Sequence, residues 1–307
     1  MTRPPLVTVL TCTVYPDVAR IWHACVARAF PADEARIEIF HDSDAGGLDA
    51  AHFPGAEILP RTPARREYHD AYNDAVARVE TPYLAFVDSD VFWISRDLWA
   101  FARQELAAPR LAAVSLVSRR RRPSHGTFAV VMKAAAYREV FSAALPAGFF
   151  PAAERPDAAV PFERWVWHDT GDLAAAAVRD AGWEVKLLHR DEEGLLVRFH
   201  GITLSRRGAE HVGGENLARL AGRDRYFFRG YAGNLALRKL HDRLFPGGPR
   251  YDFPLGQGPL LRESAKNPPR ELAWRLGYLA GLERGARRIA AFAAGAAGAA
   301  EHSGRVP

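Results

Sequence analysis

The chain has 307 residues, which is enough for one large α/β domain with an appendage. Hydrophobic residues make up 48% of it and charged residues 25%, a composition that excludes a disordered or fibrous protein. The net charge of +5 is mild, and the run 119–122, four consecutive arginines, nearly equals that excess. Such a balance fits an acidic small molecule or an anionic surface and does not require nucleic acid.

Apolar strand patterns alternate with amphipathic helix patterns through the first two thirds of the chain. This alternation predicts a mostly parallel sheet flanked by helices. The predicted strands are 6–10, 36–40, 55–59, 83–87, 111–117, 127–132, 183–188 and 195–199. The predicted helices are 17–30, 64–79, 95–106, 134–144 and one from 173 that stops at Gly182, followed by a C-terminal helix at 269–291.

The most informative stretch is 82–93, where an apolar run ends in Asp88-Ser89-Asp90. The run reads as a strand buried on both faces, and ligands of open α/β sheets bind at the carboxyl ends of such strands. On a continued strand Asp88 and Asp90 can face the same side, where the two like charges repel each other unless a positive charge lies between them. Mg²⁺ or Mn²⁺ with phosphate oxygens is the natural occupant. The alternative is that both are ordinary loop or helix-cap carboxylates.

Four segments together resemble a family 2-like glycosyltransferase with the GT-A fold, and the resemblance covers about residues 5–205. They are the strand 7–11; Phe40-His41-Asp42; Tyr72-Asn73-Asp74-Ala75 with 81–90; and 168–173 leading into 181–185. In the fourth segment His168 precedes the first acid, and Thr170 and Gly171 separate the two acids, whereas the commonest family form has an adjacent acidic pair.

The resemblance implies an α/β, GT-A-like (Rossmann-like) fold and metal-dependent, inverting transfer of a sugar from a nucleotide-diphosphate donor. The acceptor is a hydroxyl group of a glycan, lipid or small molecule. It implies that Asp88 and Asp90 bind Mn²⁺ or Mg²⁺, with His200 as a further ligand, and that Asp169 or Asp172 is the catalytic base. The residues implied in holding the donor are Thr11, Thr13, Asp42, Asn73 and Asp88.

Each of these residues also has a structural interpretation. Asp42 fits a turn before Gly46 and Gly47, and Asn73 fits packing or capping. Asp172 is the better N-cap of the helix that follows, which makes Asp169 the better base. His200 beside Phe199 is equally well a structural histidine.

Two other functions compete with glycosyl transfer. A sugar-phosphate nucleotidyltransferase usually carries a Gly-rich loop after its first strand, but residues 11–16 contain no glycine. A catalytically silent module of the same fold, binding a nucleotide or a partner, remains open because of the irregular segment 168–172. Nucleic-acid binding is ranked last, because no aromatic residues are interleaved with the basic run and no known module is present.

The predicted domains are a catalytic domain at 1–205, a helical and loop region at 206–290, and a low-complexity tail at 291–307. The helix at 269–291 is basic and amphipathic, which fits a membrane surface or, more commonly, packing against the domain or a second subunit. Cys12 and Cys25 form no disulfide or zinc pattern, and no stretch has the roughly 18 apolar residues of a membrane span. With no signal-peptide pattern, we expect a cytoplasmic protein with peripheral membrane contact as an option.

Overall fold

The computed structural model forms two compact units, residues 1–196 and 197–307. The predicted domain boundaries at 205 and 290 stay predictions. The residues that the structure describes are 4–13, 15–42, 48–63, 65, 67–115, 129–143, 171–188, 195–199, 202, 223–249 and 268–295.

The first unit alternates strands and helices along the chain. Its strands are β1 (Val7–Thr13), β2 (Ala35–His41), β3 (Ala56–Leu59), β4 (Tyr83–Val87), β5 (Val91–Trp93), β6 (Leu111–Ser115), β7 (Ala129–Lys133) and β8 (Glu184–Leu187). Its α-helices are α1 (Pro16–Ala29), α2 (Tyr68–Arg78), α3 (Asp97–Glu105), α4 (Ala134–Ala143) and α5 (Asp172–Asp180), with a 3-10 turn at Ala50–His52.

Seven strands form one sheet in the order β3-β2-β1-β4-β7-β6-β8. Strand β7 runs antiparallel to both of its neighbours, and every other neighbouring pair is parallel. The predicted fold class, α/β with a mostly parallel sheet flanked by helices and a helical C-terminal part, is therefore confirmed. The strands at the centre are buried on both faces, which explains why they read as continuous apolar runs.

The register of the central strands determines which side chains share a face of the sheet. Cys12 lies opposite Phe40, and Leu10 lies opposite Phe86, so these four side chains point to one face. Helices α2, α4 and α5 pack there and enclose the main apolar cluster around Tyr72. We call this the α2 face. Helices α1 and α3 cover the opposite side, which we call the α1 face.

Helix α5 ends as its sequence predicts and begins one residue earlier than predicted. Gly182 has φ +85°, its N–H donates to the Arg179 carbonyl (2.8 Å), and Trp183 N–H donates to Val178 (3.1 Å). This is a Schellman motif, which requires glycine for the left-handed conformation. At the other end Gly171 is the N-cap and Asp172 is the first helical residue. The interpretation of Asp172 as the N-cap is therefore wrong, because the cap position needs the non-helical backbone that Gly171 supplies with φ 100°.

The second unit contains β9 (Leu196–Arg198, beginning at the boundary) and two long helices, α6 (Arg223–Leu244) and α7 (Pro268–Ala294). The helices pack through aromatic rings. The ring centroid of Phe228 of α6 lies 5.9 Å from that of Trp274 and 6.2 Å from that of Tyr278, both of α7. The buried Asn234 amide donates to the carbonyls of Ile202 (3.1 Å) and Gly230 (3.0 Å). Helix α7 extends beyond both predicted ends of 269–291. Within the described ranges, we find no helix of sufficient length and apolarity to cross a bilayer.

Candidate active site at the carboxyl ends of the central strands

The two predicted metal-binding carboxylates lie in a turn and not on a continued strand. Strand β4 ends at Val87, and Val91 N–H donates to the Asp88 carbonyl (2.9 Å), which closes a turn before β5. The expectation that the strand continues through Asp88 and Asp90 is therefore wrong, because the chain turns immediately after the first carboxylate; the prediction that the two carboxylates share one site stays a prediction. Both side chains are half-buried at the carboxyl end of the strand.

Tyr72 fixes one oxygen of Asp88. Its hydroxyl donates to Asp88 Oδ1 over 3.2 Å, and its ring packs on Phe86 of β4 with 4.4 Å between centroids. The ring is buried beneath α2, so the hydroxyl is presented to the end of β4 by packing on the same strand. Tyr72 belongs to one of the four segments that carry the resemblance, but the sequence alone predicts no role for its hydroxyl.

Cys12 is the next-to-last residue of β1 and lies opposite Phe40 of β2. Burial raises the pKa of its thiol well above the usual value, a hydrogen bond with Tyr72 lowers it, and the charges of Asp88 and Asp42 raise it further. Asp42 and Asp88 follow the two strands that pair with β1 in parallel, so both residues lie at the same edge of the sheet as the end of β1. The Cys12 side chain also packs against the apolar cluster around Tyr72.

Asp42 itself directly follows β2. Its backbone N–H donates to the Thr13 carbonyl (2.8 Å), which extends the β1–β2 pairing by one residue. Its carboxylate lies 3.7 Å from Arg61 Nε, so a positive charge is part of this edge of the sheet. The backbone bond fixes the position of Asp42 relative to β1. Asp44 and the glycines of the predicted turn fall outside the described residues.

Thr11 and Thr13 belong to the opposite face of the sheet. Because side chains alternate along β1, their hydroxyls point to the α1 face when Cys12 points to the α2 face. The Thr13 hydroxyl accepts from Tyr15 N–H (3.1 Å) and fixes the connection into α1. The Thr11 hydroxyl is buried and has no hydrogen-bond partner in the described part of the chain. Their predicted role in donor binding stays a prediction, and the structure separates their hydroxyls from Asp42 and Asp88.

An ion-pair network holds α2 over this site. Arg78 at the end of α2 donates two hydrogen bonds to the fully buried Glu38 of β2, at 3.0 and 2.7 Å. Asp74 accepts from Arg78 (3.1 Å) and from Arg65 (3.3 Å). The carboxylate hydrogen bonds raise the pKa of Arg78 beyond its normal range. Helix α2 is thereby fixed on β2, which positions Tyr72 and the half-buried Asn73 near the carboxyl ends of the strands.

The described side chains fit a hard divalent cation that shares its shell with phosphate. Mg²⁺ in such sites is usually held by one or two carboxylates and by oxygens of the substrate, and Asp88 and Asp90 supply two carboxylates. Among the residues that the structure describes, no group of three or more His, Cys, Asp or Glu side chains could hold a metal alone. His200 and Asp169 lie outside the described residues, and of Asp172 only the backbone is described. Their predicted roles stay predictions.

Solved structures of similar overall arrangement are mostly glycosyltransferases, with some nucleotidyltransferases. One is the Pyrobaculum calidifontis mannosyltransferase PcManGT in complex with GDP-Man and Mn²⁺, at 18% identity and TM-score 0.48 over 97% of this chain and 76% of that chain. A second is glucosyl-3-phosphoglycerate synthase from Mycobacterium tuberculosis with Mn²⁺ and UDP-glucose, at 12% identity and TM-score 0.34 over 43% and 57%. A third is the bifunctional IspDF from Campylobacter jejuni, at 9% identity and TM-score 0.36 over 61% and 50%.

The chain thus spans only about half of the second and third of these structures. No model of a protein family matches the chain, and no curated protein matches it.

Proposed function

We propose that the chain is a metal-dependent glycosyltransferase that transfers a sugar from a nucleotide-diphosphate donor to an acceptor hydroxyl with inversion. One observation carries this proposal. Asp42 and Asp88 directly follow β2 and β4, the two parallel neighbours of β1, and Asp90 lies in the turn after Asp88, whose carboxylate accepts from the Tyr72 hydroxyl. An acidic edge in this position suits a donor that brings its own phosphate charge together with a cation.

Asp88 and Asp90 are the residues that would hold the cation. A bound Mg²⁺ or Mn²⁺ supplies charge neutralisation of the diphosphate leaving group. Asp42, at the end of β2, accepts hydrogen bonds from the ribose or base, and Asn73 contributes from α2. Tyr72 keeps Asp88 Oδ1 in place, so the remaining oxygen of that carboxylate is oriented for ligation.

Transfer also requires removal of the acceptor proton. Asp169 or Asp172 takes the proton of the acceptor hydroxyl while the oxygen of that hydroxyl attacks the anomeric carbon of the donor sugar. The bond from that carbon to the diphosphate oxygen breaks, and the nucleoside diphosphate leaves with the electron pair. Asp169 is the preferred base, because Asp172 is the first residue of α5 and its position is set by the helix start. His200 remains a proposed further ligand of the cation.

The test is release of nucleoside diphosphate from UDP- and GDP-sugars, measured with Mn²⁺, with Mg²⁺ and with a chelator. We expect turnover that needs metal, that is lost in Asp90→Asn and that is kept in Ser89→Ala, a matched control in the same turn. Metal-dependent nucleotide binding without turnover of any donor would favour the silent module. Release of pyrophosphate from a nucleoside triphosphate and a sugar phosphate would favour the nucleotidyltransferase.

A further inference from the structure

Three leucines on α7 form an exposed apolar stripe. Leu272, Leu276 and Leu279 are 58%, 57% and 43% exposed. Within the described ranges the only other large apolar side chain in this class is Tyr68, at 36%. Their spacing of four and then three residues places them on one side of the helix. We call these three residues the leucine stripe.

The leucine stripe is not the side on which α7 packs within its unit. Trp274 and Tyr278 face Phe228 of α6, and Leu282 and Ile289 are buried further along the same side. The first half of α7 is therefore apolar on two opposite sides, one packed and one open. Ala273, Gly277 and Ala280 are also exposed between the leucines, so no polar side chain interrupts the open side. An apolar surface of this kind marks an interaction site.

The charges around the leucine stripe are positive. Helix α7 contains five arginines and two glutamates. Both glutamates are already paired within the helix, Glu271 with Arg275 (3.1 Å) and Glu283 with Arg287 (3.0 Å). The remaining arginines are 270, 284 and 288, of which the first two are exposed. The same helix thus combines exposed leucines with unbalanced positive charge.

We propose that the leucine stripe, together with Arg284, which lies one turn beyond Ala280 on the open side, docks α7 onto the surface of an anionic lipid bilayer. Leucines that enter the boundary between headgroups and acyl chains, with arginines at the level of the headgroups, are the elements of an interfacial helix. A second copy of the chain fits less well, because two identical surfaces would bring the same unbalanced arginines together.

The test is flotation of the full chain with vesicles of phosphatidylcholine alone and of phosphatidylcholine mixed with phosphatidylglycerol. We expect binding to the mixed vesicles, weakening with salt, and little binding to the neutral ones. Leu276→Asn should weaken binding roughly tenfold, because the variant has no leucine side chain at this position to bury in the bilayer. Arg284→Gln should weaken it about fivefold. Ala100→Asn, a matched polar substitution at an exposed position of α3, should leave binding unchanged.

Circular dichroism and a thermal unfolding midpoint close to that of the wild type would show that each variant is folded. The proposal is overturned if the wild-type chain binds no vesicles, binds neutral and anionic vesicles equally, or binds equally well after Leu276→Asn. It is also overturned if sedimentation shows a dimer that Leu276→Asn dissociates, which would assign the stripe to a second copy.

Discussion

The two faces of the seven-stranded sheet carry different chemistry at their carboxyl ends. On the α2 face, Cys12 lies near the end of β1, Asp42 and Asp88 directly follow β2 and β4, and the Tyr72 hydroxyl donates to Asp88. On the α1 face, the corresponding end of β1 is Thr13, whose hydroxyl is used to hold the start of α1. The strands are the same, and only the alternation of side chains separates the two sets. Which residues can form one site in such a sheet therefore depends on the face to which each side chain points, as well as on the strand that carries it.

A similar contrast appears in the ion pairs that attach helices to each side. On the α2 face Arg78 binds the fully buried Glu38. On the other side Arg103 of α3 binds Glu34 (2.9 Å), whose second oxygen accepts from Trp99 Nε1 (2.7 Å), with both charged groups partly exposed. Removing Arg78 leaves Glu38 fully buried with Arg36, at 3.1 Å, as its remaining counter-charge, whereas water solvates the partly exposed Glu34 when Arg103 is removed. The α2 attachment should therefore be the more sensitive of the two.

The largest expected effect concerns the carboxylates themselves. We predict that Asp88→Asn lowers metal-dependent turnover of the donor by about a hundredfold to a thousandfold, since it removes charge that holds the cation. Thr13→Val, on the opposite face of the neighbouring strand, should change turnover by less than about tenfold. The measurement is the steady-state rate of donor turnover at saturating metal. Equal losses of turnover in the two variants would show that turnover does not depend on the α2 face alone.

The second effect is on stability. Arg78→Met should lower the free energy of unfolding by about 3 kcal/mol, because Glu38 stays buried with a weakened counter-charge. Arg103→Met, its counterpart on α3, should cost less than about 1 kcal/mol, since that pair is partly solvated. Urea unfolding of both variants measures the difference. A larger loss for Arg103→Met would contradict the assignment of the buried pair as the main attachment.

A smaller effect is expected for the hydroxyl that positions Asp88. Tyr72→Phe should weaken the apparent affinity for Mn²⁺ about fivefold while leaving turnover at saturating metal nearly unchanged, since about 1 kcal/mol of hydrogen bonding is lost. Tyr83→Phe, whose ring contacts Trp99, serves as the control. Metal titrations of the reaction rate provide the measurement. A fall in the saturating rate with no change in metal affinity would show that Tyr72 acts elsewhere.

The smallest effect is a pH dependence on the α1 face. Burial lowers the pKa of His23, at the edge of the Phe53 ring, below its usual value of 6.5. The unfolded chain therefore binds this proton at a higher pH than the native chain. The contribution of the neutral, buried His23 to the free energy of unfolding is therefore fully present above pH 6.5. It is lost as the pH falls from 6.5 towards the pKa of His23 in the folded chain. His23→Gln should flatten this slope in unfolding experiments at pH 7 and pH 5. Ala27→Ser in the same helix should not.

The sequence predicts the strand-and-helix order of the first unit because its apolar runs are short, continuous and bounded by turn residues. It predicts that Asp88 and Asp90 follow the central strand, but not the turn between them. Strand β5, three residues long, is too short for a periodic pattern. The sequence does not predict the bounds of helix α6, because its glycines and charged residues interrupt any apolar stripe. The role of Tyr72 depends on the packing of α2 over β4, which no local pattern contains.

The most direct test of the central claim is calorimetric titration of UDP and GDP with and without Mn²⁺, on wild type and on Asp90→Ala. The acidic edge at the ends of β1, β2 and β4 predicts binding of one of these nucleotides that requires Mn²⁺ and disappears in the variant. Absence of binding to either nucleotide under both conditions, or binding that survives Asp90→Ala unchanged, would contradict a nucleotide-sugar site at the end of β4.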